Sequence, residues 1–508
     1  MPMYALTAKG MKYMDQFASQ AGLPGVVLME NAARGVADEV AERIPDKSAK
    51  ILVLAGHGNN GGDAVAAARW LAQKGYTGIS VYFAGRIDKA SDELKRQMSI
   101  LVNSHRDVRI SGLRGIERNI LNARYDCIID GIYGIGLNKA LGDDDIRLVK
   151  YINSKTGYKV AVDIPSGLNA TSGLIMGEAV RADLTVTFGS YKTGMFFGAG
   201  RECCGEVKVV DIGLMNDGYD NINDKLEVLD RAFLDRTIGK ALAPRAENGH
   251  KGTFGTVGLV ISSNGMLGAG MLAAKAAYRA GCGLVKIFCP SKYTGFFNVS
   301  IPEAVAVPYK PDDVLGAFES FKDDADVILI GPGLREDSVG RLLVKQILAG
   351  NKPAVFDAGA LNLIARNLKS LRKRKCQCVI TPHLGEMARL CGEDINIVAR
   401  SRIGYTRKFA EKFDVSMVVK SDVSLIALRD AGSGQKLYLN TVGNSGLATA
   451  GSGDVLAGVI ASLIAQGNTL DTSLMYGVMI HGKAAEKFAQ DGDSRRKMMA
   501  GDIIDNLF

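Results

Sequence analysis

A segment near the C-terminal end combines small residues with one carboxylate. Residues 444–454 read NSGLATAGSGD, and an apolar run, residues 455–460, follows at once. Small residues leave the backbone of a turn accessible, and an apolar run without a breaker predicts a buried helix. Because the first N–H groups of a helix bind anions, residues 451–453 are expected to hold a phosphate group. Asp454 could accept a proton from a hydroxyl that attacks a phosphoryl group. The simpler interpretation is a glycine turn in which Asp454 is only the N-cap of the following helix.

A second glycine-rich segment lies in the N-terminal half. Residues 56–63 read GHGNNGGD and lie between a strand-like apolar run, 50–55, and a helical pattern, 64–74. A loop between a strand and a helix is a common setting for phosphate binding, although neither the G-x-G-x-x-G nor the Walker pattern is present. A tight turn needs only one or two of these residues, so a binding loop is favoured over a structural turn.

Two more polar segments follow predicted strands of the N-terminal half. They are residues 130–137, DGIYGIGL, and residues 163–169, DIPSGLN. The carboxyl ends of parallel strands form the ligand-binding edge of a sheet, so three loops are expected to meet there. The residues that would converge are Asn60, Asp63, Asp130, Asp163 and Ser166. Their oxygens suit a hard cation, and an Asp beside a hydroxyl suits proton transfer, whereas each Asp alone could simply cap a turn.

The C-terminal half carries segments of the same kind. Residues 331–334 and 381–387 follow predicted strands, and Gly333 would let a ligand approach the backbone closely. His383 is the histidine best placed for a ligand contact, and a histidine satisfied within its own loop is the alternative. Lys420 opens the segment 420–424 and could hold a nucleotide phosphate, although a lone lysine at a strand end is usually solvated.

These residues need a scaffold of parallel strands, and the sequence predicts one in each half. Strands are predicted at 50–55, 79–83, 127–130, 160–163, 184–188, 207–211, 256–261, 284–288, 327–330, 354–357, 378–381 and 417–420. Helices are predicted at 7–20, 25–44, 64–74, 268–281, 385–390, 402–413, 454–466 and 470–490. This alternation indicates α/β domains with parallel sheets covered on both faces. The polar segment 215–225 is typical of a linker or edge segment, so the predicted domains are residues 1–225 and 226–508.

The composition limits the remaining function classes. A chain of 508 residues exceeds the size of one hydrophobic core, and 47% hydrophobic residues are ordinary for a globular protein. The net charge of +8 is scattered except in residues 369–375, where a solvated helix end is favoured over a nucleic-acid site. The eight cysteines lack metal-binding spacing, and no apolar segment has the length of a signal peptide or membrane span. We therefore expect a cytoplasmic protein without nucleic-acid or membrane partners.

Together, the N-terminal segments resemble the NAD(P)H-hydrate epimerase domain of the YjeF N-terminal type. The shared strings lie at 28–33, 59–63, 130–137, 163–167 and 188–194, and the resemblance covers nearly all of residues 1–214. It implies a Rossmann-like three-layer αβα fold, K⁺ bound by Asn60, Asp130 and Ser166, and Asp163 as the acid/base in epimerisation. The implied pocket for the hydrated nucleotide comprises Asn59, Asn60, Gly61, Gly62, Asp63, Gly134, Ile135, Gly136, Leu137, Asn138, Lys139, Ala140 and Asp163.

The C-terminal segments resemble the NAD(P)H-hydrate dehydratase domain, whose αβα fold is ribokinase-like. The resemblance runs from about residue 230 to residue 508 and is more specific than the Gly-Ser-Gly-Asp string, which marks a whole kinase superfamily. It implies Asp454 as the catalytic base. The implied contacts to the hydrated nucleotide are Ala269, Gly333, His383 and Asp454, and those to the adenine nucleotide are Lys420, Ser421, Asp422, Val423, Ser424 and Gly453.

The sequence departs from both patterns at a few positions. In the N-terminal half, Ala64 stands where the family usually has Gly, and residues 131–133, Gly-Ile-Tyr, replace Ala-Leu-Phe. In the C-terminal half, residues 262–264, Ser-Ser-Asn, replace Gly-Ser, Gly359 replaces an Asp, and Ser421 and Ala450 replace glycines. None of these changes removes the implied base Asp454 or an implied K⁺ ligand.

The two resemblances imply one repair pathway for hydrated nicotinamide nucleotides. The first domain would interconvert the R and S epimers of NAD(P)HX, and the second would dehydrate the S epimer to NAD(P)H, releasing AMP and phosphate. ADP with Mg²⁺ is the implied phosphoryl donor, because fusion of the two domains resembles the bacterial and archaeal arrangement. The alternatives are a vitamin or sugar kinase of the ribokinase superfamily, and a non-catalytic nucleotide-binding module as the first domain. We also expect a homo-oligomer.

Overall fold

The protein consists of two compact units, Met1–Glu227 and Val228–Phe508. The computed structural model describes residues 3–84, 89–112, 123–242, 244–262, 265–430, 434–490 and 492–508. Both units are α/β, as the alternating pattern of strands and helices predicts. Among the described helices, none is both long enough and apolar enough to cross a membrane.

The first unit is built on a seven-stranded parallel sheet. Its strands in chain order are β1 (Tyr4–Leu6), β2 (Lys50–Ala55), β3 (Gly78–Phe83), β4 (Arg109–Gly112), β5 (Cys127–Gly131), β6 (Tyr158–Val162), β7 (Leu184–Phe188), β8 (Tyr191–Lys192) and β9 (Glu206–Val210). The sheet order is β4-β3-β2-β5-β6-β7-β9, with every neighbouring pair parallel. The short strands β1 and β8 pair with each other outside this sheet.

Helices cover both faces of this sheet. They are α1 (Ala8–Gln20), α2 (Gly25–Arg43), α3 (Asn59–Gln73), α4 (Asp92–Ser104), α5 (Asp143–Ser154), α6 (Gly200–Cys203) and α7 (Asp217–Asp220). Alternate residues of β2 enter two different cores, because successive side chains of a strand point to opposite faces. Ile51 and Val53 pack in one core with residues of α2, α3 and α4, and Leu52 and Leu54 pack in another with residues of α5.

The second unit is also built on a largely parallel sheet, and the chain enters it within β10 (Leu226–Leu229). Its strands are β11 (Thr256–Val260), β12 (Leu284–Pro290), β13 (Val305–Tyr309), β14 (Val327–Ile330), β15 (Ala354–Phe356), β16 (Cys378–Ile380), β17 (Ser416–Val419), β18 (Ser424–Asp430) and β19 (Gly434–Asn440). Strands β13-β12-β11-β14-β15-β16-β17 are parallel, and β17-β18-β19 continue the sheet as an antiparallel meander.

The helices of the second unit pack around one that is almost wholly buried. They are α8 (Arg231–Thr237), α9 (Leu267–Arg279), α10 (Thr294–Ser300), α11 (Val314–Asp323), α12 (Ser338–Ala349), α13 (Ala358–Ala365), α14 (Leu368–Arg372), α15 (Leu384–Cys391), α16 (Ile395–Arg400), α17 (Arg402–Phe413), α18 (Ser452–Ala465), α19 (Leu470–Phe488), α20 (Gly492–Lys497) and α21 (Ala500–Asp505). Helix α18 is the buried one, as its apolar run predicts. A Cβ atom at Gly458 would lie 2.2 Å from the carbonyl oxygen of Ala273 in α9, so glycine permits this close helix contact.

All twelve predicted strands are present, but the structure corrects two other expectations. Helix α3 begins at Asn59 rather than at residue 64, so residues 59–63 form its first turn instead of a loop. The segment 215–225 is not only a linker, because α7 buries Tyr219 and stacks its ring on that of Tyr4 at 5.0 Å. Strand β13, which the sequence analysis missed, is an edge strand that contains Pro308 and carries few buried side chains, so its strand pattern is weak.

Candidate active sites

A cavity of about 690 Å³ lies in the first unit, at the carboxyl ends of its central strands. The predicted residues that line it are Asn59, Asn60, Asp63, Gly134, Ile135, Gly136, Leu137, Asn138, Lys139, Ala140 and Asp163. Gly61 and Gly62 do not line it. A Cβ at Gly61 would lie 2.0 Å from the carbonyl oxygen of Gly56, and one at Gly62 would lie 2.6 Å from the side chain of Met29. The two glycines therefore let the first turn of α3 pack closely, and the residues around them face the cavity.

The ends of β5 and β6 are joined by a buried pair, Asp130 and Ser166. The Ser166 hydroxyl donates to one carboxylate oxygen of Asp130 at 2.6 Å, and the Ser166 N–H donates to the other at 2.8 Å. The N–H of Tyr133 donates in turn to the Ser166 hydroxyl at 2.8 Å. Burial raises the pKa of Asp130 to about 6, against the opposing effect of these hydrogen bonds.

Asn60 lies in the first turn of α3, and its backbone carbonyl oxygen would be 3.0 Å from a Cβ atom at Gly131, the residue after Asp130. A Cβ atom at Gly134 would lie only 3.1 Å from the Oδ1 atom of Asn60, so glycine leaves room for the Asn60 side chain. The Nδ2 atom of Asn60 is buried and has no hydrogen-bond partner. Rotating the side-chain amide by 180° exchanges its nitrogen and oxygen atoms, so that the oxygen takes the buried position. A cation bound there would give this oxygen a partner. The predicted cation ligands Asn60, Asp130 and Ser166 are oxygen donors that fit a hard cation.

Asp163 is held by groups on the neighbouring strands. It has a positive φ of 66°, which is rare outside glycine and marks a strained backbone position. Its carboxylate is paired with the ammonium group of Lys192, which is only 1% exposed, and accepts a hydrogen bond from the Thr187 hydroxyl at 3.2 Å. Lys192 also donates to the carbonyl oxygen of Phe188 at 3.0 Å. The cavity therefore contains one carboxylate whose position is fixed by a buried lysine.

Two further carboxylates line the same cavity without a hydrogen bond from the protein in the described part of the chain. Asp63 is half-buried, and burial together with the charges of Asp163 and Asp15 raises its pKa well above the usual range. Asp15, from α1, is exposed at the rim, yet the surrounding protein and the charge of Asp163 raise its pKa to about 6. Neither Asp15 nor a role for Lys192 was predicted from the sequence, because the helical pattern around residue 15 offers no sign of a partner across the fold.

In the second unit, Asp454 lies in the first turn of α18. Gly451 caps this helix with a left-handed φ of 87°, which a residue with a side chain adopts only under strain. The Ser452 hydroxyl lies 3.2 Å from Nε2 of His481, and burial lowers the pKa of this histidine to about 4, so it stays neutral. Burial, followed by the charge of Asp357, raises the pKa of Asp454 to about 6. The predicted base is therefore a carboxylate with an elevated proton affinity at a helix N-terminus.

An ion pair between half-buried Lys420 and buried Asp357 lies beside this helix end. Lys420 donates from Nζ to Oδ1 of Asp357 at 2.6 Å, and the Thr381 hydroxyl donates to the same oxygen at 2.7 Å. A Cβ atom at Gly453 would lie 3.2 Å from Nζ of Lys420, so Lys420 and Gly453 are close neighbours. Lys420 is thus not a solvated lysine, and its partner Asp357, 1% exposed, was missing from the predicted site.

His383 caps helix α15. Its Nδ1 atom accepts from the N–H of Gly385 at 3.0 Å, while Glu386 accepts from the N–H of His383 at 2.9 Å, which forms a capping box. Burial and the charges of Lys420 and Arg389 lower the pKa of His383, so the ring is neutral. The ring remains exposed. Since Nε2 lies 3.4 Å from Oε1 of Glu386, both ring nitrogens have partners within the loop, as the alternative of a locally satisfied histidine predicts, while about half of the ring surface stays exposed.

The remaining predicted contacts fall into two groups. Gly333 and Ala269 both lie close to the carbonyl oxygen of Met266. A Cβ atom at Gly333, whose φ is 65°, would lie 2.7 Å from this oxygen, and the N–H of Ala269 donates to it at 3.2 Å. Arg402 of α17, which the sequence analysis missed, contacts the predicted nucleotide loop, donating to Ser421 at 3.0 Å and to Asp422 at 3.4 Å. Val423 is buried, and Ser424 begins β18.

Two of the departures from the family patterns compensate each other. A Cβ atom at Gly131 would lie 2.4 Å from the Cβ of Ala64, so the two positions cannot both carry a side chain without movement. Ala64 is fully buried, and Gly131 is buried as well. The exchange of glycine and alanine between these positions therefore preserves the packing of α3 on β5. Of residues 262–264, Ser263 and Asn264 lie outside the described residues.

Two family models match the chain. The model described as YjeF-related protein N-terminus matches residues 25–194, and the model described as NAD(P)H-hydrate dehydratase matches residues 257–507. Each match lies within one of the two units.

Proteins similar over nearly the full length share one description, bifunctional NAD(P)H-hydrate repair enzyme. The relative from Moorella thermoacetica is 34% identical over 523 residues, covering 99% of this chain and 96% of that protein. The relative from Escherichia coli is 31% identical over 458 residues, covering 90% and 84%. Among solved structures, the ADP/ATP-dependent NAD(P)H-hydrate dehydratase from Bacillus subtilis, co-crystallized with ATP/Mg²⁺, is 28% identical and covers 54% of this chain and 94% of that chain, with a TM-score of 0.47.

Proposed function

The chain belongs to the family of bifunctional NAD(P)H-hydrate repair enzymes, and we propose that each of its two units carries one of the two activities. The enzyme epimerises R- and S-NAD(P)HX and dehydrates the S epimer to NAD(P)H. We assign epimerisation to residues 1–225 and dehydration to residues 226–508. Because the relatives span both units, a vitamin or sugar kinase and a non-catalytic first domain are set aside.

The epimerase site is the cavity of the first unit, and Asp163 carries this assignment. The hydrated nicotinamide ring would lie against Asp163, whose ion pair with Lys192 fixes a negatively charged acceptor for a proton. The rest of the nucleotide would lie along residues 134–140 and the first turn of α3. Asn60, Asp130 and Ser166 would hold K⁺, which would supply positive charge at the end of β5.

The dehydratase site is the start of α18, where Asp454 is the base. Asp454 would accept the proton of the ring hydroxyl as that oxygen attacks the terminal phosphate of the nucleotide. The N–H groups of residues 451–453 would stabilise the negative charge that develops on the phosphate. Lys420, beside Gly453, adds a positive charge on the same side. Phosphorylation turns the hydroxyl into a good leaving group, and elimination restores NAD(P)H.

The nucleotide would be ADP with Mg²⁺, bound at residues 420–424 and Gly453. No group of three or more His, Cys, Asp or Glu within the described residues is arranged to hold a metal ion. This fits a Mg²⁺ ion bound mainly through the phosphates of the nucleotide, which is common for Mg²⁺. Arg402 positions the loop through Ser421 and Asp422. A cytoplasmic location stays a prediction, which the eight free cysteines support.

The test is recovery of reduced-nicotinamide absorbance from a mixture of R- and S-NAD(P)HX with ADP, Mg²⁺ and K⁺. Recovery of the whole pool with release of AMP and phosphate supports both assignments. Recovery that stops when the S epimer is spent contradicts the epimerase assignment, and recovery with ATP but not ADP contradicts the choice of donor. The Asp163→Asn and Asp454→Asn variants of the full chain assign each activity to its unit, since each should lose one activity only.

A further inference from the structure

Three carboxylates and one buried lysine share the cavity of the first unit. They are Asp15, Asp63, Asp163 and Lys192. Only Asp163 is paired with the lysine, and it also accepts a hydrogen bond from Thr187. Within the described part of the chain, neither Asp15 nor Asp63 receives a hydrogen bond or an ion pair from the protein. The same cavity therefore holds one carboxylate paired with a buried lysine and one half-buried carboxylate, Asp63, without a protein partner among the described residues.

Epimerisation needs both a proton donor and a proton acceptor. The hydroxyl of a hydrated nicotinamide lies on a ring carbon bonded to the ring nitrogen, and hydroxide is a poor leaving group until it is protonated. Asp163, as the partner of the Lys192 ammonium group, is placed to accept a proton. Two carboxyl groups whose environments favour opposite protonation states provide an acid and a base in one site.

We propose that Asp63 is a second catalytic residue of the epimerase site, the general acid that protonates the departing hydroxyl, with Asp163 as the general base. This inference rests on the proposed epimerase function. Burial and the neighbouring charges of Asp163 and Asp15 raise the pKa of Asp63 and so favour its protonated form, whereas Lys192 acts in the opposite sense. Other charged or titratable groups that line the cavity are Lys12, His57, Tyr133 and Lys139.

The step balances without any further reactant. Asp63 transfers its proton to the hydroxyl oxygen, the C–O bond breaks, and water leaves with the bonding electron pair. The lone pair of the ring nitrogen forms a C=N⁺ bond to the same carbon. Water then adds to the opposite face, the C=N electron pair returns to nitrogen, and the proton of the added water passes to Asp163. The proton returns to Asp63 through solvent.

Asp15 acts through Asp63 and is a positioning residue. Its negative charge favours the protonated form of Asp63, so its removal makes Asp63 ionise at lower pH. A merely structural role for Asp15 would not move the pH dependence of the reaction.

The experiment follows conversion of pure R-NADHX to the S epimer by chromatography, with full-length enzyme, K⁺ and no ADP, in water enriched in ¹⁸O. The Asp63→Asn variant is expected to lower kcat about 100-fold or more with KM changed only a few-fold, and Asp63→Glu should recover part of kcat. Each epimerised molecule should carry one ¹⁸O atom. Asp15→Asn should keep kcat at its optimum but move the alkaline limb of the pH profile to lower pH, and Asp15→Glu should leave that limb in place.

An Asp63→Asn enzyme with kcat within threefold of wild type, or with the loss confined to KM, overturns the assignment of Asp63. Retention of the original oxygen in the S epimer overturns the C–O cleavage step. Unfolding followed by the fluorescence of Trp70, the single tryptophan, shows whether Asp63→Asn still folds in the first unit. If wild-type enzyme itself does not epimerise R-NADHX, the proposed epimerase function fails instead, so the two failures are distinct.

Discussion

The side chain of Ala64 occupies the space that a side chain at Gly131 would need, since the two Cβ atoms would be 2.4 Å apart. Ala64 lies on α3 and Gly131 ends β5, so this contact sets how closely the first turn of α3 approaches the end of β5. That approach in turn places the first turn of α3, which contains Asn60, against Gly131 at the end of β5. Relative to the family pattern, alanine and glycine are exchanged between these two positions. The two substitutions therefore compensate each other in the packing of α3 on β5.

This contact predicts that a substitution at Gly131 destabilises the first unit and that a second substitution at Ala64 partly restores the stability. Gly131→Ala is expected to lower the free energy of unfolding of the first unit by about 1–3 kcal/mol through overpacking. Adding Ala64→Gly should restore part of that loss, because it removes the colliding methyl group, although a helical glycine costs about 1 kcal/mol by itself. Urea unfolding followed by Trp70 fluorescence measures all three variants. Additive effects of the two substitutions would contradict the packing argument.

The second prediction concerns the pH dependence of dehydration. Asp454 must be ionised to act as a base, and its pKa is raised to about 6. The kcat/KM of dehydration, which reports the ionisation of the free enzyme, should therefore fall as the pH drops below about 6, whereas an ordinary carboxylate with a pKa of 3.8 would keep it constant to about pH 5. Initial rates with S-NADHX between pH 5 and 8 test this. Asp454→Asn should abolish dehydration and leave epimerisation intact.

Lys192 is expected to be required for stability as well as for activity. Its ammonium group is the partner of the buried Asp163 carboxylate, so Lys192→Met leaves that charge unpaired at a cost of about 3–5 kcal/mol. The double variant Lys192→Met with Asp163→Asn should unfold at a higher urea concentration than Lys192→Met alone, while remaining inactive as an epimerase. Trp70 fluorescence again reports on the first unit, and equal stability of the single and double variants would contradict this account.

Two glycines of one loop offer a matched test of the cation site. A Cβ at Gly134 would lie 3.1 Å from Oδ1 of Asn60, whereas a Cβ at Gly136 would meet nothing within 4 Å. Gly134→Ala should therefore displace the Asn60 amide and raise the K⁺ concentration that half-saturates epimerisation, about tenfold for each 1.4 kcal/mol of lost binding. Gly136→Ala should not change that K⁺ concentration. Equal K⁺ dependence of both variants would place the cation away from Asn60.

The core strands and helices and the glycine-rich loops of both units could be predicted because each is specified by a pattern of neighbouring residues in the sequence. The buried run 50–55 and the apolar run 455–460 each specify their element without reference to distant residues. The start of α3 was misplaced because Asn-Asn-Gly-Gly-Asp has low helix propensity and resembles a turn. Helix formation there depends instead on packing, in which Gly61 contacts Gly56 and Gly62 contacts Met29.

The sequence alone determined the two α/β domains, the strand ends that carry polar residues and the positions of Asp163 and Asp454. Only the tertiary structure decided their partners: Lys192 for Asp163, Asp357 for Lys420, and Asp15 and Asp63 in one cavity. The reason is physical. Periodicity and turn chemistry act over a few neighbouring residues, whereas a buried charge is set by groups that lie far away in the chain and are brought close only when the sheet and its helices have packed.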